Sequence, residues 1–312
     1  MNFWDFIALF ISDTLLFATP LLFTALGGMF TEKSGVTNIG LEGMMTIGAF
    51  FGAAVGYFTG SAVLGFLAGG LASALVALIH AIVSITFGAD QTVSGIAINF
   101  IGPGFALFMC SLLFDGAKQT KPVGQNAGKM YKIFDNLTGS SNIDRILGQY
   151  VTTYIAIALV VLISVYLYKT KFGLRLIAVG EHPKAAETLN VNVIRYRYFA
   201  VIVSGILAGF GGATMSLATV SNFTQSLVSG HGFIALVAVI FGKWKPYGVL
   251  GACLFFGAAQ ELAILLPSLK VNVPEGLLPM IPYISTLLIL MFFVGKSKAP
   301  SSAGVPYLKL ED

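Results

Sequence analysis

The sequence has 312 residues, of which 56% are hydrophobic and only 10% charged, and its mean hydropathy is +0.85. Soluble chains carry about 25% charged residues because a water-facing surface needs them, so this composition excludes a soluble globular protein and leaves an exterior that faces lipid. The formal charge of +4 sits in a few loops, which speaks against a nucleic-acid surface and fits an orientation signal.

A membrane helix needs about 20 apolar residues whose backbone groups pair within the segment, so gaps in charge locate the spans. The first runs from about Phe6 to Phe30 and ends at Glu32-Lys33; with Asp5 ahead of it and no small-x-small cleavage site, it reads as a retained span rather than a signal peptide. No charge occurs between Glu42 and Asp90, and a hairpin at Tyr57 to Ser61, around Gly60, divides that stretch into spans near Leu41 to Phe58 and Ala62 to Phe87. Further spans are expected near Ser94 to Phe114, Tyr150 to Tyr168, Tyr198 to Val220, Gly232 to Gly242, Tyr247 to Leu266 and Met280 to Val294. The expected fold is therefore all-α, a single transmembrane domain over residues 1–312 with about nine spans, in a range of roughly eight to ten. Gly232 to Gly242 is short and reads as a half-helix or a tilted crossing.

Two polar loops interrupt the pattern. Residues 115–148, with Lys118, Lys121, Lys129 and Lys132 among Gly, Asn and Ser, read as a solvated excursion with little regular structure. Residues 169–197 carry Lys169, Lys171, Arg175, Lys184, Arg195 and Arg197, and basic residues are retained on the cytoplasmic side. Lys243, Lys245, Lys296 and Lys298 then fall on the same side, with a cytoplasmic tail at 296–312, the 115–148 loop outside and the N-terminus outside. The lysines of the 115–148 loop run against this rule.

Glycines at Gly48, Gly52, Gly56 and Gly60, at Gly65 and Gly69, and at Gly205 and Gly209 share helix faces and let helices approach closely. Cys110 and Cys253 lie inside apolar runs and read as packing residues. An ionisable residue at membrane depth is a functional candidate, because burying it is costly. Val36 to Gly43, dense in polar residues and glycine and including Asn38 and Glu42, reads as a broken helix lining a cavity or as a cytoplasmic turn. Gln91, Asn99, His231, Gln260 and Glu261 are the other candidates for the solute pathway; uncharged amides suit a sugar or a base. His80 reads rather as a packing residue. No metal-ligand cluster and no nucleophile elbow is found. Gly295-Lys296-Ser297 resembles the end of a nucleotide-binding loop, but Leu290 stands where that loop needs glycine, so no cofactor is expected on this chain and no ATP hydrolysis by it.

Within 169–197, Pro183 fits a first helical position, Glu181 the positive helix end, and Asn190 a helix stop. Ala185, Ala186 and Leu189 share one face by spacing. A short helix with a small apolar face, set between two spans, suits docking into a groove on another protein, or the flanking arginines hold the loop against anionic lipid.

The stretch Gly173 to Val191, a glycine-bearing lead followed by Ala185-Ala186, resembles the coupling segment of the permease family of bacterial ATP-driven importers for ribose, branched-chain amino acids and nucleosides. Glu32-Lys33-Ser34-Gly35-Val36-Thr37-Asn38-Ile39-Gly40-Leu41-Glu42-Gly43-Met44-Met45 resembles the nucleoside branch, and Ser204 to Gly212 and Gly230 to Gly242 also fit the family. The resemblance implies a permease subunit in a bacterial plasma membrane that works by alternating access. It implies as partners an ATPase subunit that uses the ATP, a second permease, similar or identical to this one, and an external substrate-binding lipoprotein; the short stretch before Phe6, with no inner basic helix, makes a distinct and longer second permease the expectation. Gly180, Glu181, His182, Pro183, Lys184, Ala185, Ala186, Glu187 and Leu189 would carry the coupling. The alternatives are a permease for a simple sugar such as ribose, an ion-coupled carrier, for which Glu42 and Glu261 offer a thin relay, and a passive channel.

Overall fold

A computed structural model describes residues 3–123, 130–134, 137, 139–269, 274–293 and 298–307. Lys129, Val294 to Ser297 and the end of the tail lie outside the described residues. In chain order the helices are α1 (Phe3–Glu32), α2 (Leu41–Thr59), α3 (Ala62–Ala81), α4 (Gln91–Leu113), α5 (Ser141–Leu147), α6 (Val151–Lys169), α7 (Lys171–Glu181), α8 (Pro183–Thr188), α9 (Val193–Thr214), α10 (His231–Phe241), α11 (Pro246–Leu265) and α12 (Ile281–Phe293). Wider π turns, Ile82–Thr86 and Met215–Thr219, extend α3 and α9. Among the described residues seven helices are long and apolar enough to cross a membrane; α10 and α12 are shorter.

Local chemistry explains most boundaries. Gly60 at φ 68° closes α2, and Ser61 caps α3, so the expected hairpin forms there. Asp90 caps α4 through the amides of Thr92 and Val93, and Asn192 caps α9 through the amide of Arg195. That cap starts α9 at Val193, five residues before the expected Tyr198. The 115–148 loop also holds more structure than expected: α5, a bridge between Lys132 and Tyr150, and a bridge between Gln119 and Thr224.

α9 packs against α1, α2 and α3, while α2 packs against α3 and α4. The most apolar stretch of α9 is 78% buried and that of α4 only 22%, so α9 is an inner helix of the bundle and α4 an outer one. The glycine faces make the inner contacts. A Cβ on Gly52 or on Gly69 would stand 2.9 Å from the Ala213 Cβ, a distance at which something must shift. Cys110 and Cys253 are free and buried, as packing residues are.

Candidate functional site

Two non-helical segments lie within the helical bundle and interrupt it. In the first, α1 ends at Glu32, residues 33–40 run without a helix, and α2 begins at Leu41. The freed backbone groups are taken up by side chains from neighbouring helices. Gln91 Oε1 accepts from the Thr37 amide at 2.7 Å, and Asn99 accepts from the Gly43 amide at 2.9 Å while donating to the Ile39 carbonyl at 2.9 Å. Asn38 donates to Ser204 Oγ at 3.1 Å on α9 and accepts from the Gly40 amide at 3.0 Å. His80 lies 3.3 Å from the Thr37 carbonyl and 2.8 Å from Ser94 Oγ. Asn38, Gln91 and Asn99 are thus engaged with the chain's own backbone and with Ser204, because a non-helical segment inside the bundle has no water to satisfy it. In this conformation they position the interrupted segment.

The second interruption is residues 220–230, after which α10 begins. Eleven residues rise about 16 Å, roughly half the hydrocarbon thickness, so α10 is a half-helix. Its positive end carries an internal anion. Glu42 Oε1 accepts from the Gly230 amide at 2.6 Å and Oε2 from the Gly232 amide at 2.7 Å. A carboxylate is favoured at this end by the unpaired N–H groups and by the helix dipole. Gly230 sits at φ +90°, and a Cβ on Gly232 would stand 2.5 Å from the backbone of Glu42, so the glycines are what let the carboxylate reach. One residue in the first turn of α2, just after the first interruption, thereby fastens the end of the second.

His231 and Gln260 come together on one wall of a cavity of about 280 Å³ between α10, α11 and α12, shared with Ile234, Ala263, Ile264 and Tyr283. The imidazole lies against the Val228 carbonyl and 3.1 Å from Gln260 Oε1. Glu261 is separated from this pair. It is 1% exposed, is near enough to Asp13 of α1 to feel its charge, and keeps one oxygen without a partner among the described residues. Between the start of the 115–148 loop and the second interruption, a hollow of about 710 Å³ is lined by Ala117, Lys118, Gln119, Thr224, Gln225 and Ser226.

The basic face holds α7, α8 and the start of α9. The glycine-bearing lead expected to precede a single short helix is itself helical as α7, capped by Thr170 at the Gly173 amide. Its buried residues Gly173, Leu176, Val179 and Gly180 follow helical spacing. α8 begins with Pro183 at its first turn and ends before Asn190 at φ 58°, as expected. Two expectations are corrected. Glu181 closes α7 and accepts from Ser301 rather than serving the start of α8. Ala186 turns inward and packs with Val179 and Val193, while Ala185 and Leu189, the latter 80% exposed, face outward. Gly180 abuts the first interruption: a Cβ there would stand 3.1 Å from the Gly35 amide nitrogen. Beside it, burial lowers the pKa of Lys33, Glu181 raises it, and Lys245 lowers it further.

Ser204, Arg197 and Ser302 were not among the sequence candidates for the site. Arg197 alone left a signal, a cation at the head of a long apolar run; it is 1% exposed and donates to the Val305 carbonyl at 3.1 Å.

The chain resembles known proteins over nearly its whole length. It is 44% identical to the guanosine ABC transporter permease protein NupQ of Bacillus subtilis and 37% identical to the nucleoside ABC transporter permease protein NupC of Lactococcus lactis, in both cases over 99% of each chain. It is 23% identical to the guanosine ABC transporter permease protein NupP of Bacillus subtilis, over 93% of this chain and 82% of that one. The family described as branched-chain amino acid transport system / permease component matches residues 10–295, and the chain belongs to that family.

Proposed function

We propose that this permease subunit passes nucleosides into a bacterial cell, in a complex with a separate ATPase, a second and distinct permease and an extracytoplasmic binding lipoprotein. The observation that carries the substrate class is the Glu42 carboxylate on the amides of Gly230 and Gly232. An open half-helix end inside a bundle attracts an anionic solute group; here that end is already occupied by a carboxylate of the chain, so an anionic solute meets repulsion and a neutral one does not. A nucleoside is neutral, and the similar proteins named for guanosine and nucleosides support this choice. The pairing of distinct permeases is supported by the likeness to both NupQ and NupP of one organism, at very different identities.

In this reading the basic face lies in the cytoplasm, which its lysines and arginines support. There α7 and α8 take the push of the ATPase, and Ala185 and Leu189 form the outward docking face. Contacts lead inward from α7 through Gly180 to residues 33–35, then along the stapled segment to Glu42 and the start of α10. Closure of the motor would move this train and open the α10 junction to the other side.

Uptake by the assembled complex in proteoliposomes tests the proposal. Labelled guanosine should accumulate only with the ATPase present and ATP on its side, with competition by uridine and none by leucine. Competition by ribose at equal concentration would favour the sugar reading, and accumulation by the permease alone under an ion gradient would sink the ATP-driven one.

A further inference from the structure

Residues 298–307 do not trail away from the bundle. Ser302 donates from its amide to the Gly180 carbonyl at 3.0 Å and from its hydroxyl to the same oxygen at 2.6 Å. Ser301 donates to Glu181 Oε2 through its hydroxyl at 2.9 Å and its amide at 3.3 Å. Arg197 reaches from α9 to the Val305 carbonyl at 3.1 Å and to Ser302 Oγ at 3.5 Å, and its guanidinium lies 5.6 Å from the centre of the Tyr307 ring. Tyr307 in turn lies beside Glu187 of α8 and packs against Val179, Ala186 and Val193. One short segment thus touches the end of α7, the body of α8 and the start of α9, and at Gly304 it borders Thr37 of the first interruption.

We infer that the C-terminal segment is a clasp that positions the coupling helix, with Ser302 and Arg197 as its two fastenings. α8 has only six residues and a single buried one, Ala186, so its own packing is too slight to hold it against a load. Without the clasp, α8 could yield under the ATPase instead of passing movement to residues 33–35. The Gly180 carbonyl is at the helix end, where it lacks an intrahelical partner, and Ser302 supplies two donors to it. Buried Arg197 needs its acceptors equally, since a guanidinium stripped of them inside protein is costly. The fastening is therefore mutual.

This rests on the docking role proposed for α8, and the experiment separates the two. A photo-crosslinking residue is placed at position 189 in the intact chain, in a chain ending at Lys298, and in Ser302→Ala and Arg197→Lys chains, each assembled with the ATPase and the partner permease. The intact chain should cross-link to the ATPase. The shortened chain should lose tenfold or more of its ATP-driven uptake, the point variants threefold or more, while ATP hydrolysis persists and the cross-link weakens or spreads to new positions. Persisting hydrolysis with lost uptake marks uncoupling, which simple misfolding would not give; rescue by Ser302→Thr, which restores the hydroxyl, marks the fastening. No cross-link from the intact chain would overturn the docking role itself. A normal cross-link in the intact chain, with uptake by the Ser302→Ala and Arg197→Lys chains unchanged, would overturn the clasp alone, even if the shortened chain fails to insert.

Discussion

The two non-helical segments are held in different ways. Residues 33–40 are fixed by side chains from three helices: Gln91 of α4 and His80 of α3 at Thr37, Ser204 of α9 at Asn38, and Asn99 of α4 at Ile39. Residues 220–230 are fixed at their two ends, by Glu42 at Gly230 and by the 115–148 loop near Ser221 to Thr224, with positive φ at Ser221, Ser229 and Gly230. The first segment is held along its middle, at Thr37, Asn38 and Ile39. The second has a latch at one end and a strap at the other, and a change at either alters its shape. That division suits an alternating-access device, in which a stiff lever acts on a compliant gate.

The largest effect should come from the latch. Glu42→Ala strips two amides of a charged acceptor, a loss of about 3 kcal/mol, or roughly 100-fold in the population of the joined state. Uptake should fall by that order while the protein still inserts and purifies with its partners. Glu42→Gln keeps one acceptor and loses the charge, and should fall between this variant and the intact chain. Near-normal uptake by both would remove Glu42 from the mechanism.

On the lever the balance should reverse. Asn99→Ala leaves the Gly43 amide and the Ile39 carbonyl unpaired inside the bundle, at about 2 kcal/mol. The expected result is a thermal midpoint several degrees lower in detergent, with uptake at low temperature reduced less than in Glu42→Ala. If Asn99→Ala instead abolishes uptake and leaves the midpoint alone, Asn99 touches solute and the sequence-based assignment of it to the pathway stands.

How much of this could be read in advance follows the same physics. Lipid demands long apolar runs, so charge gaps located the spans within a few residues, and the glycine repeats on α2, α3 and α9 announced close packing. Inner helices are less visible: α2 is the least hydropathic of the crossing helices because its neighbours, not lipid, cover it. α7 fell inside the polar loop 169–197 because its charges, Lys171, Arg175 and Glu181, set it apart from the apolar runs; its Gly173 and Gly180 lie against the Leu167 backbone and the Gly35 amide. Spacing grouped Ala185, Ala186 and Leu189 but could not tell which way each faces, and Ala186 turned inward. The partner of Glu42 was illegible for a simpler reason. Its donors are backbone amides 188 and 190 residues away, and a backbone amide carries no side-chain signature.

The strap should show the smallest effect and the most telling one. Thr120 and Phe223 exchange two bonds, Thr120 N–H to the Phe223 carbonyl at 3.0 Å and the Phe223 amide to Thr120 Oγ1 at 2.9 Å, both residues being buried. Thr120→Val keeps the shape and the first bond and deprives the Phe223 amide of its acceptor, at about 1 kcal/mol, so uptake should fall about fivefold or less. The value of this variant lies in combination. If strap and latch bias one moving segment, their effects share an element, and Thr120→Val together with Glu42→Gln should depart from the product of the single effects. If residues 220–230 do not move as one element, the two sites are independent and the effects multiply. Measuring uptake for the two single variants and the double one therefore decides whether the second interruption moves as a unit between its two fastenings.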